Sequence, residues 1–232
     1  MQVTPVRLNA AIAWLFMVGS ALFAVGSVPA YANWVGGPLD ALTYFVGSIF
    51  FTSASYCQLV QAQSPGMLGV DAEQERQPVP VRYRGWLPHD RGWMAAATQF
   101  PGTLFFNVST AAVLVVNATA AAEDRHVWRP DFFGSVLFLV SSGYAIAALG
   151  GGFFAVRPRS LPWWISWLNM LGSVFFMWSA LASFVLPSTD AYIDARASVG
   201  GTLLGALCFL VAAALVLPAW RREVDEREVG AR

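Results

Sequence analysis

Gly19-Ser20-Ala21-Leu22-Phe23, Gly47-Ser48-Ile49-Phe50-Phe51, Gly102-Thr103-Leu104-Phe105-Phe106, Gly134-Ser135-Val136-Leu137-Phe138, Gly172-Ser173-Val174-Phe175-Phe176 and Gly205-Ala206-Leu207-Cys208-Phe209 are six copies of one pattern. A glycine is followed by a small residue and, four positions on, by phenylalanine. Each copy falls in its own apolar stretch, and a periodic unit inside segments this apolar calls for lipid around it. Stretches of about twenty residues match the thickness of a bilayer core. They run over 8–28, 39–60, 93–116, 132–154, 162–185 and 198–217.

Composition agrees. The 232 residues are 56% hydrophobic and 12% charged, with a mean hydropathy of +0.53, far from a soluble globular domain. Net charge is zero, which argues against a nucleic-acid partner, since phosphate neutralisation needs a concentrated basic face. Cys57 and Cys208 both sit in apolar segments and offer neither a disulfide framework nor a zinc cluster. The first stretch carries the same pattern as the rest and is read as a resident helix, not a cleaved signal.

Arginine placement orients the chain, because cytoplasmic connections keep the positive charge. With the N-terminus inside, eleven of the fourteen arginines are cytoplasmic; only Arg125, Arg129 and Arg196 lie outside. The pattern glycines are 28, 32 and 33 residues apart within successive pairs and 55 and 38 apart between pairs. The expected fold is therefore all-α: a single polytopic bundle over 1–232, six transmembrane helices arranged as three repeated hairpins, both termini cytoplasmic. A cytoplasmic loop (63–91) and a charged, solvated tail (221–232) lie outside the bilayer. Trp34, Trp86, Trp93, Trp128, Trp163, Trp164 and Trp220 fall near helix ends, where indole anchors at headgroups.

Glycine and phenylalanine four apart share a helix face, so a notch sits beside a knob. Small residues and interlocking side chains drive helix association in lipid. Helix packing is accordingly assigned to Gly19, Gly47, Gly102, Gly134, Gly172, Gly201 and Gly205, with Phe23, Phe51, Phe106, Phe138, Phe176 and Phe209. Gly201 and Gly205 fit an internal seam or a dimer face equally well. The Ser or Thr after the glycine can return its hydroxyl to a carbonyl one turn back.

Polar residues inside spans are the functional candidates, because each is costly in hydrocarbon without a partner or water. Gln99, Asp131 and Asn169 each lie three residues before a pattern glycine, as do Tyr44 and Thr202; Asn107 lies deeper in its helix. Asp131 follows Arg129-Pro130 and reads either as a helix entry paired with Arg129 or as a proton or cation site. Asn107 is expected to bond another helix. The sequons at Asn107 and Asn117 lie in or at the edge of a span and carry no glycosylation claim. His89-Asp90 and His126 are too separated for a metal site. No catalytic residue, metal or cofactor is assigned.

The element Trp-Leu-x-Met-Val/Leu-Gly-Ser (Trp14 to Ser20 and Trp167 to Ser173), with Pro101-Gly102-Thr103-Leu104-Phe105-Phe106-Asn107 and Trp128-Arg129-Pro130-Asp131, resembles the YrhK-like family of small bacterial membrane proteins. The resemblance touches all six helices. It implies a bacterial cytoplasmic (inner) membrane setting and transfers no catalytic residue. The leading functional reading is a structural, accessory or stress-related membrane protein, whose partners are the lipid bilayer and either a second copy or another membrane protein. A small-solute or ion transporter or channel is the alternative. A lipid-modifying enzyme built on His89 and Asp90 comes third.

Overall fold

A computed structural model describes residues 1–115, 120–152, 155–186 and 191–230. It is all-α apart from two minimal two-stranded ladders. Six long helices dominate: α1 (Pro5–Gly26), α2 (Gly37–Gln63), α3 (Arg91–Val115), α4 (Arg129–Ala148), α5 (Leu161–Ala182) and α6 (Ala195–Gly230). A short helix, Pro29–Val35, joins α1 to α2, and a π-helical turn, Asp124–Trp128, runs straight into α4. Strands β1 (Gln2–Val3) and β2 (Val79–Pro80) pair antiparallel, as do β3 (Val185–Leu186) and β4 (Ala191–Tyr192).

Most helix ends fall within about three residues of expectation, α5 stopping at Ala182 with Val185 in β3 rather than in the helix, and two boundaries move further. α4 stops at Ala148 rather than 154, because Gly150, Gly151 and Gly152 take positive φ, a backbone region that ends helices; Phe153 and Phe154 lie outside the described residues. α6 continues through Pro218 to Gly230, so the charged tail is a helical extension as far as it is described, and most of its residues are exposed. Val116, Asn117, Ala231 and Arg232 also fall outside the described residues.

Four stretches, Pro5–Gly26, Asp124–Ala148, Leu161–Ala182 and Ala195–Gly230, are long and apolar enough to cross a membrane. α2 and α3 are as long but less apolar, since they carry Thr52, Ser55, Gln58 and Gln61, and Gln99, Thr103, Asn107 and Ser109. Their outward residues remain apolar: Ile49 and Leu104 are exposed, as are Val18, Val140, Val174 and Leu207 on the other four helices.

Each long helix packs extensively on two others, α1 on α2, α2 on α3 and so on, and α6 returns to α1. The helices thus close a ring. Met1, Gly230 and the 64–90 loop lie at one end, the terminal end; the α1–α2 connection and the described parts of the α3–α4 and α5–α6 connections lie at the other, the distal end. The tightest seams are within α1–α2, α3–α4 and α5–α6, and they share one geometry. A Cβ built on Gly47 would stand 2.9 Å from the Phe23 ring and 3.2 Å from the Gly19 carbonyl, and one on Gly19 would stand 2.9 Å from Phe51. Gly102 meets Phe138 and Gly134 meets Phe106; Gly172 meets Phe209 and Gly205 meets Phe176. Each glycine therefore seats the phenylalanine of its partner helix.

The residue after each glycine is buried, and in α2 and α5 it bonds the other neighbouring helix. Ser20, Ser48, Thr103, Ser135, Ser173 and Ala206 are all wholly buried. Ser48 Oγ bonds Thr110 of α3 at 3.0 Å, and Ser173 Oγ bonds Ser142 of α4 at 2.9 Å. Ser48, Thr103 and Ser173 also return their hydroxyls to Phe45, Phe100 and Asn169 carbonyls, whereas the Ser20 and Ser135 hydroxyls have no hydrogen-bond partner among the described residues.

Gly201 faces inward, not to a second copy: a Cβ there would lie 2.8 Å from the Phe175 carbonyl oxygen and 3.0 Å from Ser179. Backbone cannot yield as a side chain can, so Gly201→Ala should cost about 1–3 kcal/mol of stability. Gly143, with open space where its Cβ would go, is the contrast. Gly143→Ala should gain up to ~1 kcal/mol from helix propensity, both being read by thermal unfolding in detergent.

Candidate functional site: two polar cavities divided by six phenylalanines

Phe23, Phe51, Phe106, Phe138, Phe176 and Phe209 gather in one buried cluster, each no more than 6% exposed. Paired glycines lie at the same height and neighbouring helices run oppositely. Phenylalanines four residues after glycine therefore fall one turn to the distal side in α1, α3 and α5, and one turn to the terminal side in α2, α4 and α6. The result is two layers. In the terminal-side layer Phe51, Phe138 and Phe209 all touch, with centroids 5.7–6.5 Å apart. In the distal layer Phe176 contacts Phe23 at 6.0 Å and Phe106 at 5.7 Å. Between layers, each pair contributes one edge-to-face contact: Phe23–Phe51 at 5.5 Å, Phe106–Phe138 at 5.1 Å and Phe176–Phe209 at 5.1 Å, a geometry the ring quadrupoles favour.

The same alternation splits the residues three before each glycine. Tyr44, Asp131 and Thr202, from α2, α4 and α6, line a distal cavity; Phe16, Gln99 and Asn169, from α1, α3 and α5, line a terminal-side one. Gln99, Asn107, Asp131 and Asn169 therefore do not form one polar layer. Gln99 and Asn169 come together, Asp131 lies across the phenylalanines from them, and Asn107 lines neither cavity. Its Oδ1 is buried with no hydrogen-bond partner among the described residues, so that oxygen does not make the expected bond to another helix.

The distal cavity measures about 200 Å³ and takes lining residues from all six helices. Its hydroxyls are largely engaged locally. Tyr44 Oη and Ser27 Oγ share a hydrogen bond of 2.9 Å, Thr110 donates to the Phe106 carbonyl at 2.8 Å, and Ser179 bonds Thr202 at 2.7 Å. Among the described residues the one carboxylate in its lining is Asp131. The expected Arg129–Asp131 pair is not formed: Arg129 Nη2 lies 2.7 Å from Asp124 Oδ2. Nor does Asp131 complement an open helix start, because the π turn already fills the positions before α4. At the distal rim the Tyr192 hydroxyl donates to Glu123 Oε1 at 2.6 Å. Desolvation, and then that carboxylate, hold its pKa above the usual tyrosine range.

The terminal-side cavity measures about 100 Å³, with a neighbouring pocket of about 40 Å³ sharing Gln58, Gln99, Asn169 and Phe209. Five carboxamides line it: Asn9, Gln58, Gln61, Gln99 and Asn169. Asn9, Gln58 and Gln61 are absent from the sequence-derived set. The signal was the Gln58, Gln61, Gln63 spacing on the last turns of α2, which reads as the start of a polar loop but lies inside the helix. Gln58 Oε1 and Gln61 Nε2 are buried without hydrogen-bond partners among the described residues.

The 64–90 loop closes this end. Met67 is wholly buried against Leu8 and Ile12. Arg82 N–H donates to Ser64 Oγ at 2.8 Å, Gln63 Nε2 to the Arg82 carbonyl at 2.9 Å, and Trp220 Nε1 to Glu75 Oε2 at 2.9 Å. Trp93 and Trp220 are buried, at 6% and 8% exposure, and so hold the cap rather than reach headgroups; Trp34 and Trp86 stay over 80% exposed. Trp128 donates to the Ala180 carbonyl at 2.7 Å, tying the start of α4 to α5. Asp90 caps α3 through Trp93 N–H at 2.8 Å, while His89 is exposed.

The division into two compartments is open to chemical labelling. With Cys57 and Cys208 replaced, a Thr202→Cys variant should react with a membrane-impermeant thiol reagent only from the distal face, and Asn169→Cys only from the terminal face; reaction of either from both faces would mean the aromatic layers do not separate them. In comparisons with protein-family models, curated proteins and solved structures, nothing matches the chain.

Proposed function

We propose that this is a six-span membrane protein of three hairpin repeats, with both termini cytoplasmic, that moves a small polar solute along the axis of its helix ring. The observation that carries the reading is the stacking of two polar cavities on one axis, with only the two phenylalanine layers between them. A carboxylate at membrane depth, as Asp131 is, is costly unless it meets a partner or a water-filled path, and so marks a functional-site candidate. An aromatic constriction between two polar vestibules is a barrier of the kind that gates by dewetting. The six-span assignment rests on the membrane length of α2 and α3, their exposed apolar residues, and the placement of their polar residues at cavities and seams. The arginine distribution and the YrhK-like resemblance support a bacterial cytoplasmic membrane.

A structural or accessory role is the second reading, favoured by how fully the six rings fill the centre of the ring. It predicts recovery of a stable partner after cross-linking and mild-detergent purification. Transport predicts something different in purified proteoliposomes: solute uptake above that of empty vesicles, reduced by Asp131→Asn. Phe138→Leu, which thins the terminal-side layer while keeping a large apolar side chain, should raise uptake severalfold. Uptake indistinguishable from empty vesicles for wild type and Phe138→Leu alike would refute the transport reading.

A further inference from the structure

We infer that the terminal-side cavity is a binding site for a small, uncharged molecule carrying both a hydrogen-bond donor and an acceptor, of the amide or urea class. The inference rests on the transport reading for its role but on the cavity alone for its chemistry. Among the described residues, no ionisable side chain lines the cavity or its neighbouring pocket. A net charge moved there from water would lose its hydration and meet no counter-charge. The lining therefore selects against ions of either sign.

Carboxamides impose a second requirement. Gln61 is 7% exposed and its Nε2 has no acceptor among the described residues; Gln58 Oε1, one turn earlier on the same helix, has no donor. Buried polar groups are nearly always satisfied, and in side chains that line a cavity an exception is where a water or a bound molecule would complete the bonding. Side chains three apart on a helix are neighbours, so a single compact molecule presenting C=O to Gln61 and N–H to Gln58 meets both. Asn9, Gln99 and Asn169 stand on three other helices around the same space and offer further donor–acceptor groups. Phe209 lines the cavity at the aromatic layer, and Ile12, which also lines it, packs against Met67 of the cap. The volume admits about three to five water-sized groups.

The test is saturation-transfer NMR on the full chain in lipid nanodiscs, with acetamide, acetate and methylammonium, three small probes of different charge. Acetamide should receive saturation and the two ions should not. Gln61→Leu should lower the acetamide signal at least fivefold, and Asn169→Leu, read in the same way, guards against a fold defect in either variant. Equal transfer to the ions, no transfer to acetamide, or a wild-type signal in both leucine variants would overturn the inference. Vesicle uptake is read separately: acetamide binding without uptake would sink the transport reading and leave the site standing, and uptake without binding would do the reverse.

Discussion

A glycine that lets two antiparallel backbones nearly touch, and so seats the partner's phenylalanine, is the constraint on which the rest of this structure depends. In lipid, burying apolar side chains between helices gains little over leaving them in acyl chains, so association relies on close contact and on shape. At the α1–α2, α3–α4 and α5–α6 seams the contact is made twice, once in each direction. The small residue beside the glycine is then free to serve the other neighbour, as Ser48 does for Thr110 and Ser173 for Ser142. In α2 and α5 two adjacent positions thus face the two neighbours of the helix, while the glycine–phenylalanine pairs recur on all six.

Where the polar groups sit follows from the same spacing. Residues three before the glycine project past the aromatic layers, and helix direction decides the side. Contrasting chemistries result from one register: aromatic and carboxamide groups on the terminal side, and phenol, carboxylate and hydroxyl on the distal side. The cap adds Met67 and the α2 glutamines, which come from sequence just outside the repeated pattern.

Much of this was legible in the chain. Helix positions follow from apolar length, and the notch-and-knob pairing was implicit in a four-residue spacing that puts both groups on one face. Registration between helices was not legible, because no single-helix pattern fixes the height at which two helices cross. That Gln99 and Asp131, equivalent in sequence, sit in different compartments follows instead from the alternating helix direction, once the glycines pair at one height. Arg129 turned to Asp124 because the π turn brings that carboxylate alongside, a local geometry that Arg129-Pro130-Asp131 does not announce. The role of Trp93 and Trp220 was hidden for a similar reason: a tryptophan at a helix end looks alike whether it meets headgroups or a loop folded back over it.

The rings that separate the two cavities are also the side chains that hold the paired helices together. Barrier and fastener are one set of atoms. A protein built this way has no independent shutter, since withdrawing any ring from the axis unseats it from a neighbour's glycine and loosens a seam. Under the transport reading, opening is then a concerted tilt shared by a helix pair, with a threshold set by the same packing that sets the stability of the whole ring.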